Sequence, residues 1–192
     1  MVAEPIGSAV RARRASHRRR SATRRDRAGD GSRSGRAARR RAVAGGLRIR
    51  RARTPDEVKD FAEILAANWA PPDPDVLRFY ELAAPALLAE GAPLWLYVGY
   101  LGEVPVATAE LTVGGAVVGL YNISTLAAYR RRGFGTALTV QPLLDARAQG
   151  YRTAILQAQG SDGVRVYARL GFEPFGEITE YKPASSAAGG DV

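Results

Sequence analysis

The chain of 192 residues contains no cysteine, and its single histidine, His17, lies in an arginine-rich stretch near the start. Disulfides, thiolate nucleophiles and cysteine metal sites are therefore excluded. A folded domain without histidine also lacks a Ser-His-Asp triad and a histidine zinc site, so no metal is expected. Lysine is almost as scarce. Lys59 and Lys182 are the only two, and neither follows a glycine-rich loop, so the Gly-x-x-x-x-Gly-Lys-Ser/Thr phosphate loop is absent. Apolar runs are broken by Glu, Arg or Gly well before the roughly 18 residues of a membrane span. No apolar region of about 7–15 residues follows the arginine clusters, as an export signal requires. A cytoplasmic protein with no membrane span is expected.

What is present divides unevenly. Residues 1–46 hold fourteen Arg against three acids (Glu4, Asp26, Asp30), a net of +11. The remainder holds fourteen basic against sixteen acidic side chains, a net of −2, which together make the +9 of the chain. The basic character belongs to the first segment and says nothing of the rest. That segment has no aromatic residue and cannot bury enough surface to offset its ordering entropy, so it reads as a disordered tail. Its sharper readings are a nucleic-acid or anionic-membrane arm, or an organelle transit peptide. The plain alternative is an extension without function, such as a start codon assigned too early.

From Leu47 the pattern changes. Leu47-Arg48-Ile49-Arg50 alternates as a strand does. Thr54-Pro55-Asp56-Glu57 reads as a helix start, with Thr54 as cap and Glu57 three residues on, and the helix runs to about Trp69 before Pro71, Pro72 and Pro74. A second helix is expected over about Asp75 to Glu90, carrying Val76, Phe79, Leu82, Leu87 and Leu88, with Gly91 and Pro93 ending it. Leu94–Tyr100, Pro105–Thr112 and Ala116–Thr125 are β-rich runs joined by short turns, an antiparallel meander. A helix over about Gly133–Gln149 with Gly150 as its cap, a strand to Ala158, a helix over Ser161–Leu170 and a strand over Phe172–Tyr181 follow. The fold expected is a mixed α/β domain over residues 47–183, with a disordered tail over 184–192. With 46 % hydrophobic residues it can bury a sizeable core.

The centre of interest is where a strand ending at Thr125 passes through Arg130-Arg131-Arg132-Gly133-Phe134-Gly135-Thr136 into a helix. A helix start presents unpaired N–H groups and the positive end of its dipole, which suits phosphate. Gly133 and Gly135 remove side chains, so a pyrophosphate can approach the backbone. Arg130, Arg131 and Arg132 add charge in a form suited to phosphate. Gly133-Phe134-Gly135 matches only two glycines of the dinucleotide fingerprint, with Leu138 in the third place, and meander strands precede it; a dinucleotide site is disfavoured. The plain reading of a lone Gly-x-Gly is a tight turn beside solvated arginines.

The segment Arg130-Arg131-Arg132-Gly133-Phe134-Gly135 resembles the acetyl-CoA signature of the GNAT superfamily of N-acetyltransferases, Arg/Gln-x-x-Gly-x-Gly/Ala after a strand. Thr125-Leu126 before it and Thr136-Ala137-Leu138 after it match too. Tyr167-Ala168-Arg169-Leu170-Gly171-Phe172 resembles the family's Tyr-x-x-Leu-Gly-Phe segment, one strand further on. The resemblance covers about Leu47 to Tyr181. It implies an acetyl-CoA-dependent N-acetyltransferase of GNAT fold. Backbone groups of Ile123, Ser124 and Thr125 would meet the pantetheine arm and acetyl carbonyl, on a strand splayed from the next at a bulge. Arg130 to Thr136 would cradle the pyrophosphate. Tyr167 would protonate the leaving thiolate, its plain alternative being a core aromatic. Ser161 is the candidate for a further coenzyme contact that the family often makes with Asn.

The chain departs from the pattern at Tyr121, where many members carry Glu, two residues before the position of Ile123. Glu110, on the preceding strand, is the best remaining acid for the general base; its plain alternative is a solvent-facing strand residue. Asn122 can position a water but cannot be the base. Without cysteine, direct attack by the acceptor amine is the simplest route. The acceptor is a small molecule or a protein, and Trp69, Tyr80, Trp95 and Tyr97 are candidate pocket aromatics, although aromatics at such spacing commonly belong to cores. The resemblance implies a monomer or homodimer. The departure at Tyr121 keeps open a different class, a non-catalytic acyl-CoA-binding or regulatory module of the same fold.

Overall fold

The computed structural model describes residues 2–12, 44–158 and 160–182. These fall into two compact units, one within Arg14–Ala154 and the other within Met1–Arg13 and Ile155–Val192.

The first unit begins with a short 3-10 turn, Ala44–Gly46, and strand β2 (Leu47–Arg51), β1 being the earlier strand of the second unit. Helix α1 (Pro55–Ala66) starts as its sequence dictates. Thr54 is extended and its hydroxyl accepts the Glu57 N–H at 3.3 Å, while Glu57 Oε2 accepts the Arg53 N–H at 2.7 Å. Helix α2 (Pro74–Leu87) starts on Asp73, whose carboxylate accepts the Asp75 N–H at 2.9 Å. Strands β3 (Leu94–Leu101), β4 (Val104–Gly114) and β5 (Val117–Thr125) then form the antiparallel meander, with β2 on the outer side of β3. Helix α3 (Phe134–Ala148) follows a second 3-10 turn, Ala127–Tyr129.

Both faces of this sheet are covered. On one lies α1 with α2: Phe61, Ile64, Leu65, Tyr80 and Ala84 pack with Leu96, Val98 and Tyr100. On the other lies α3, where a Cβ at Gly99 would come within 3.1 Å of Leu138. Alternate residues of β3 thus meet different helices, and six consecutive residues of that strand are buried, a pattern typical of a sheet covered on both sides. The end of α3 closes as a Schellman turn: Tyr151 N–H reaches Ala146 O at 3.1 Å and Gly150 N–H reaches Arg147 O at 3.1 Å, with Gly150 at φ 98°.

The element order expected from Leu47 onward is the one observed, and the fold is mixed α/β. The apolar residues of α2 do not all face the core. Tyr80 and Ala84 are buried with Val76, Leu77, Leu87 and Leu88 packed beside them, whereas Phe79 and Leu82 are exposed. At 100° per residue, the stripe through 76/77, 80, 84 and 87/88 leaves 79 and 82 outside it.

In the second unit β6 (Thr153–Ala158) and β7 (Phe172–Lys182) pair antiparallel on either side of β1 (Val2–Ala12), and α4 (Gly160–Ala168) joins β6 to β7. Val2–Ala12 lies in the segment whose composition reads as a disordered tail. Ladder bonds explain the difference, because pairing on both edges depends on backbone groups rather than on an apolar pattern. Pro5, which lacks an N–H, falls outside the Ser8–Arg11 stretch paired with β6 and at a register shift against β7. The remaining arginine-rich residues, and the nucleic-acid arm read there, lie outside the described residues, as does the tail over 184–192.

Candidate functional site

The end of β5 is irregular. Thr108 pairs with Ser124 and Glu110 with Tyr121, so the single residue between Thr108 and Glu110 faces two, Asn122 and Ile123. This is a β-bulge, and Asn122 takes the left-handed conformation, φ 49°, that Asn tolerates better than most residues. Thr108 Oγ1 donates to Asn122 O at 2.9 Å and holds the bulge. Beyond it, Ser124 Oγ donates to Asn68 Oδ1 at 3.0 Å, tying the strand end to the loop after α1.

Ile123, Ser124 and Thr125 thus lead directly into the arginine–glycine loop. Arg130 Nε donates to Thr125 O at 3.0 Å, which folds the loop back on the strand. Arg132 stacks over Tyr129, 5.4 Å from the ring centre. Arg131 at φ 64° and Gly133 at φ 81° turn the chain into α3, and the buried Phe134 side chain anchors the turn. No side chain caps this helix. Ala137 N–H is the first to find an acceptor one turn back, at Gly133 O, so the N–H groups of Phe134, Gly135 and Thr136 belong to the open first turn. A Cβ at Gly135 would meet nothing within 4 Å. The loop therefore presents backbone donors, a helix dipole and three exposed guanidinium groups around open space, features that suit an anionic group.

Glu110 is buried, at 7 % exposure, and so is not the solvent-facing strand residue that was its plain alternative. Tyr80 Oη donates to its Oε2 at 2.9 Å and Asn122 Nδ2 to the same oxygen at 3.0 Å. Thr112 Oγ1 stands 3.4 Å from Oε1. Burial, and then the charge of Glu110, push the Tyr80 phenol well above its usual range, so Tyr80 is a donor at neutral pH.

Tyr167 and Ser161 lie in the other unit, on α4. The Tyr167 ring stands edge-on to Phe172 at 6.0 Å, and burial raises its phenol pKa, which keeps the proton on it. Ser161 falls in the first turn of the helix. Among the described residues no group of three or more His, Asp or Glu gathers as a metal site, and no helix is long and apolar enough to cross a membrane.

The candidate pocket aromatics do not converge. Tyr80 belongs to the α1–α2 face, whereas Tyr97 donates to Asp145 of α3 at 3.0 Å and Trp95 donates to Ala92 O at 3.1 Å beneath Arg51. Trp95 and Tyr97, two residues apart, share one face of β3, and Leu96, Val98 and Tyr100 on the other face meet Tyr80. Trp69 is half exposed, at 51 %. Sequence reasoning missed that Tyr80 and Asn122 share Glu110. The only signal for Asn122 was its tolerance of a left-handed backbone just before the Ile123–Thr125 strand end.

A family model described as an acetyltransferase (GNAT) domain matches residues 31–158. A search of curated proteins finds no match. Among solved structures, a GCN5-related N-acetyltransferase from Kribbella flavida is 26 % identical with a TM-score of 0.52, the match covering 70 % of this chain and 49 % of that one. The chain thus spans about half the length of that relative. A predicted acetyltransferase with acetyl-CoA from Clostridium acetobutylicum is 17 % identical, TM-score 0.58, over 71 % of this chain and 96 % of that one. The aminoglycoside N-acetyltransferase AAC(6')-Iy in complex with CoA is 18 % identical, TM-score 0.58, over 72 % and 95 %. The last two likenesses concern the fold.

Proposed function

The chain belongs to the GNAT acetyltransferase family, and we propose that it moves an acetyl group from acetyl-CoA directly to a primary amine of a small-molecule or protein acceptor. The observation that carries this reading is the bulged end of β5 running into the Gly133–Thr136 helix start, with open space at Gly135. A phosphate group has backbone donors and the arginines there, and the strand beyond Asn122 is where the thioester arm would run. The relatives that hold acetyl-CoA and CoA share this fold.

Glu110 is the proposed base. The family's usual carboxylate position is occupied by Tyr121, and Glu110 is the residue directly opposite Tyr121 in the ladder. Side chains so paired share a face and lie about 5 Å apart at Cβ, so the acid has moved by one strand rather than vanished. This favours catalysis over a module that only binds acyl-CoA. In the proposed step Glu110 takes a proton from the acceptor ammonium, and the freed lone pair attacks the thioester carbon. The C–S bond then breaks, and Tyr167 gives its phenolic proton to the departing thiolate. The phenolate is reprotonated by the proton that the new amide nitrogen releases. Alignment of amine and thioester supplies much of the acceleration.

The test is release of free CoA thiol from acetyl-CoA with a panel of primary amines, in wild type, Glu110→Gln and Tyr167→Phe. Both variants are expected to bind acetyl-CoA as wild type does and to turn over about 100-fold more slowly or worse. Unchanged turnover in Tyr167→Phe removes the acid from the scheme, and unchanged turnover in Glu110→Gln removes the base.

A further inference from the structure

Sequence alternation would send Asn122 away from Glu110. In a regular strand successive side chains point to opposite faces, and Tyr121 already shares a face with Glu110. The bulge at Asn122–Ile123 overturns that alternation. With φ at 49° the Asn122 amide swings onto the Glu110 face and donates to Oε2 at 3.0 Å. A bulge that re-aims a side chain commonly marks a working position, and a non-glycine residue in the left-handed region is held there by its surroundings. Here Thr108 Oγ1 grips its carbonyl and the Glu110 carboxylate grips its amide.

Among the described residues, the groups that bond to Glu110 or pair with it are neutral. From α2 comes Tyr80, from β5 Tyr121 and Asn122, from β4 Thr112, and from β3 Leu96, its partner in the ladder. None of its hydrogen-bond donors among the described residues is an Arg or Lys. Both short bonds converge on one oxygen: Tyr80 Oη at 2.9 Å and Asn122 Nδ2 at 3.0 Å reach Oε2, and Asn122 Nδ2 also lies 3.3 Å from Tyr80 Oη. Among the described residues, Oε1 has only the 3.4 Å contact with Thr112 Oγ1. We propose that Tyr80 and Asn122 are positioning residues for Glu110, binding Oε2 in place of a counter-ion so that Oε1 is the oxygen that takes the acceptor's proton. This rests on the reading of Glu110 as base. Two neutral donors on one oxygen fix the carboxylate's orientation and leave the other oxygen turned to the acceptor. Asn122 itself is exposed while Glu110 is buried, so Asn122 stands between solvent and the base, beside the strand end assigned to the thioester.

The experiment is an infrared titration of the full chain, with the Glu110 carboxylate band isolated by subtracting the spectrum of Glu110→Gln. It needs no knowledge of the acceptor. Tyr80→Phe and Asn122→Gly each delete one donor to Oε2, and glycine keeps the left-handed turn free of strain. Each is expected to move the midpoint at which the band is lost to higher pH, by about tenfold in proton concentration. Asn122→Asp, which sets a second carboxylate against Oε2, is expected to move it further. Midpoints unchanged within twofold in Asn122→Gly and Asn122→Asp overturn the proposal, even if Tyr80→Phe fails to fold. If the midpoints move as expected while Glu110→Gln retains wild-type turnover, the donors hold the carboxylate but the base reading fails, so the two failures are told apart.

Discussion

A Cβ added at position 135 meets none of the described residues within 4 Å, which makes the loop testable at a single residue. Gly135→Glu should fold with a melting temperature close to wild type, yet place a carboxylate where a pyrophosphate would sit and lower acetyl-CoA affinity by 100-fold or more. Calorimetric titration of the variant, beside its thermal melt, reads both quantities; retained affinity would remove the phosphate role of the loop. Gly133 is different, since its φ of 81° is one that other residues adopt only with strain. The two glycines were legible because their chemistry is local: a turn and a close approach follow from having no side chain. Tyr80 and Asn122 were not. Their meeting on Glu110 depends on a bulge and on the rotation of α2, neither of which a linear pattern encodes. Trp95 and Tyr97 read equally well as pocket or core until their faces on β3 were known.

Helices and strands were the most readable level, because caps and periodicity act within a few residues. Thr54, Pro55 and Glu57 announce α1, and Gly150 announces the end of α3; both ends have the bonds that those residues imply. Thr54→Ala should therefore cost about 1 kcal/mol of unfolding free energy, measured by denaturant titration, with acetyl-CoA affinity unchanged. A loss below a few tenths would mean that the cap bond at 3.3 Å contributes little. Element ends were less legible. The expected second helix ran on to about Glu90, whereas α2 stops at Leu87. Pairing of Val2–Ala12 between β6 and β7 was invisible for another reason: it joins residues 144 (Arg11 to Ile155) to 180 (Val2 to Lys182) positions apart through backbone bonds, and arginine-rich composition further along the segment masked it.

For the molecule as a whole, several buried phenols set a limit at high pH. Tyr80, Tyr97 and Tyr100 are all pushed above 10.0, in each case first by burial and then by a neighbouring carboxylate, Glu110, Asp145 or Asp60. Their folded pKa values are raised, so the unfolded chain releases these protons first. Stability is fully present below about pH 10 and falls as the pH climbs beyond it. Thermal melts between pH 8 and 11 should show the decline, and Tyr97→Phe should make it shallower; an identical slope in the variant would contradict the assignment. The same architecture, with an antiparallel sheet covered by α1 and α2 on one face and α3 on the other, carries the bulge and the glycine loop to one end of β5.

The central claim is that this end of β5 holds the coenzyme, and its most direct test is calorimetric titration of the purified full chain with acetyl-CoA, beside free CoA and NADH. Micromolar binding of acetyl-CoA with no binding of NADH is the predicted result. A well-folded protein that binds no acetyl-CoA would contradict it.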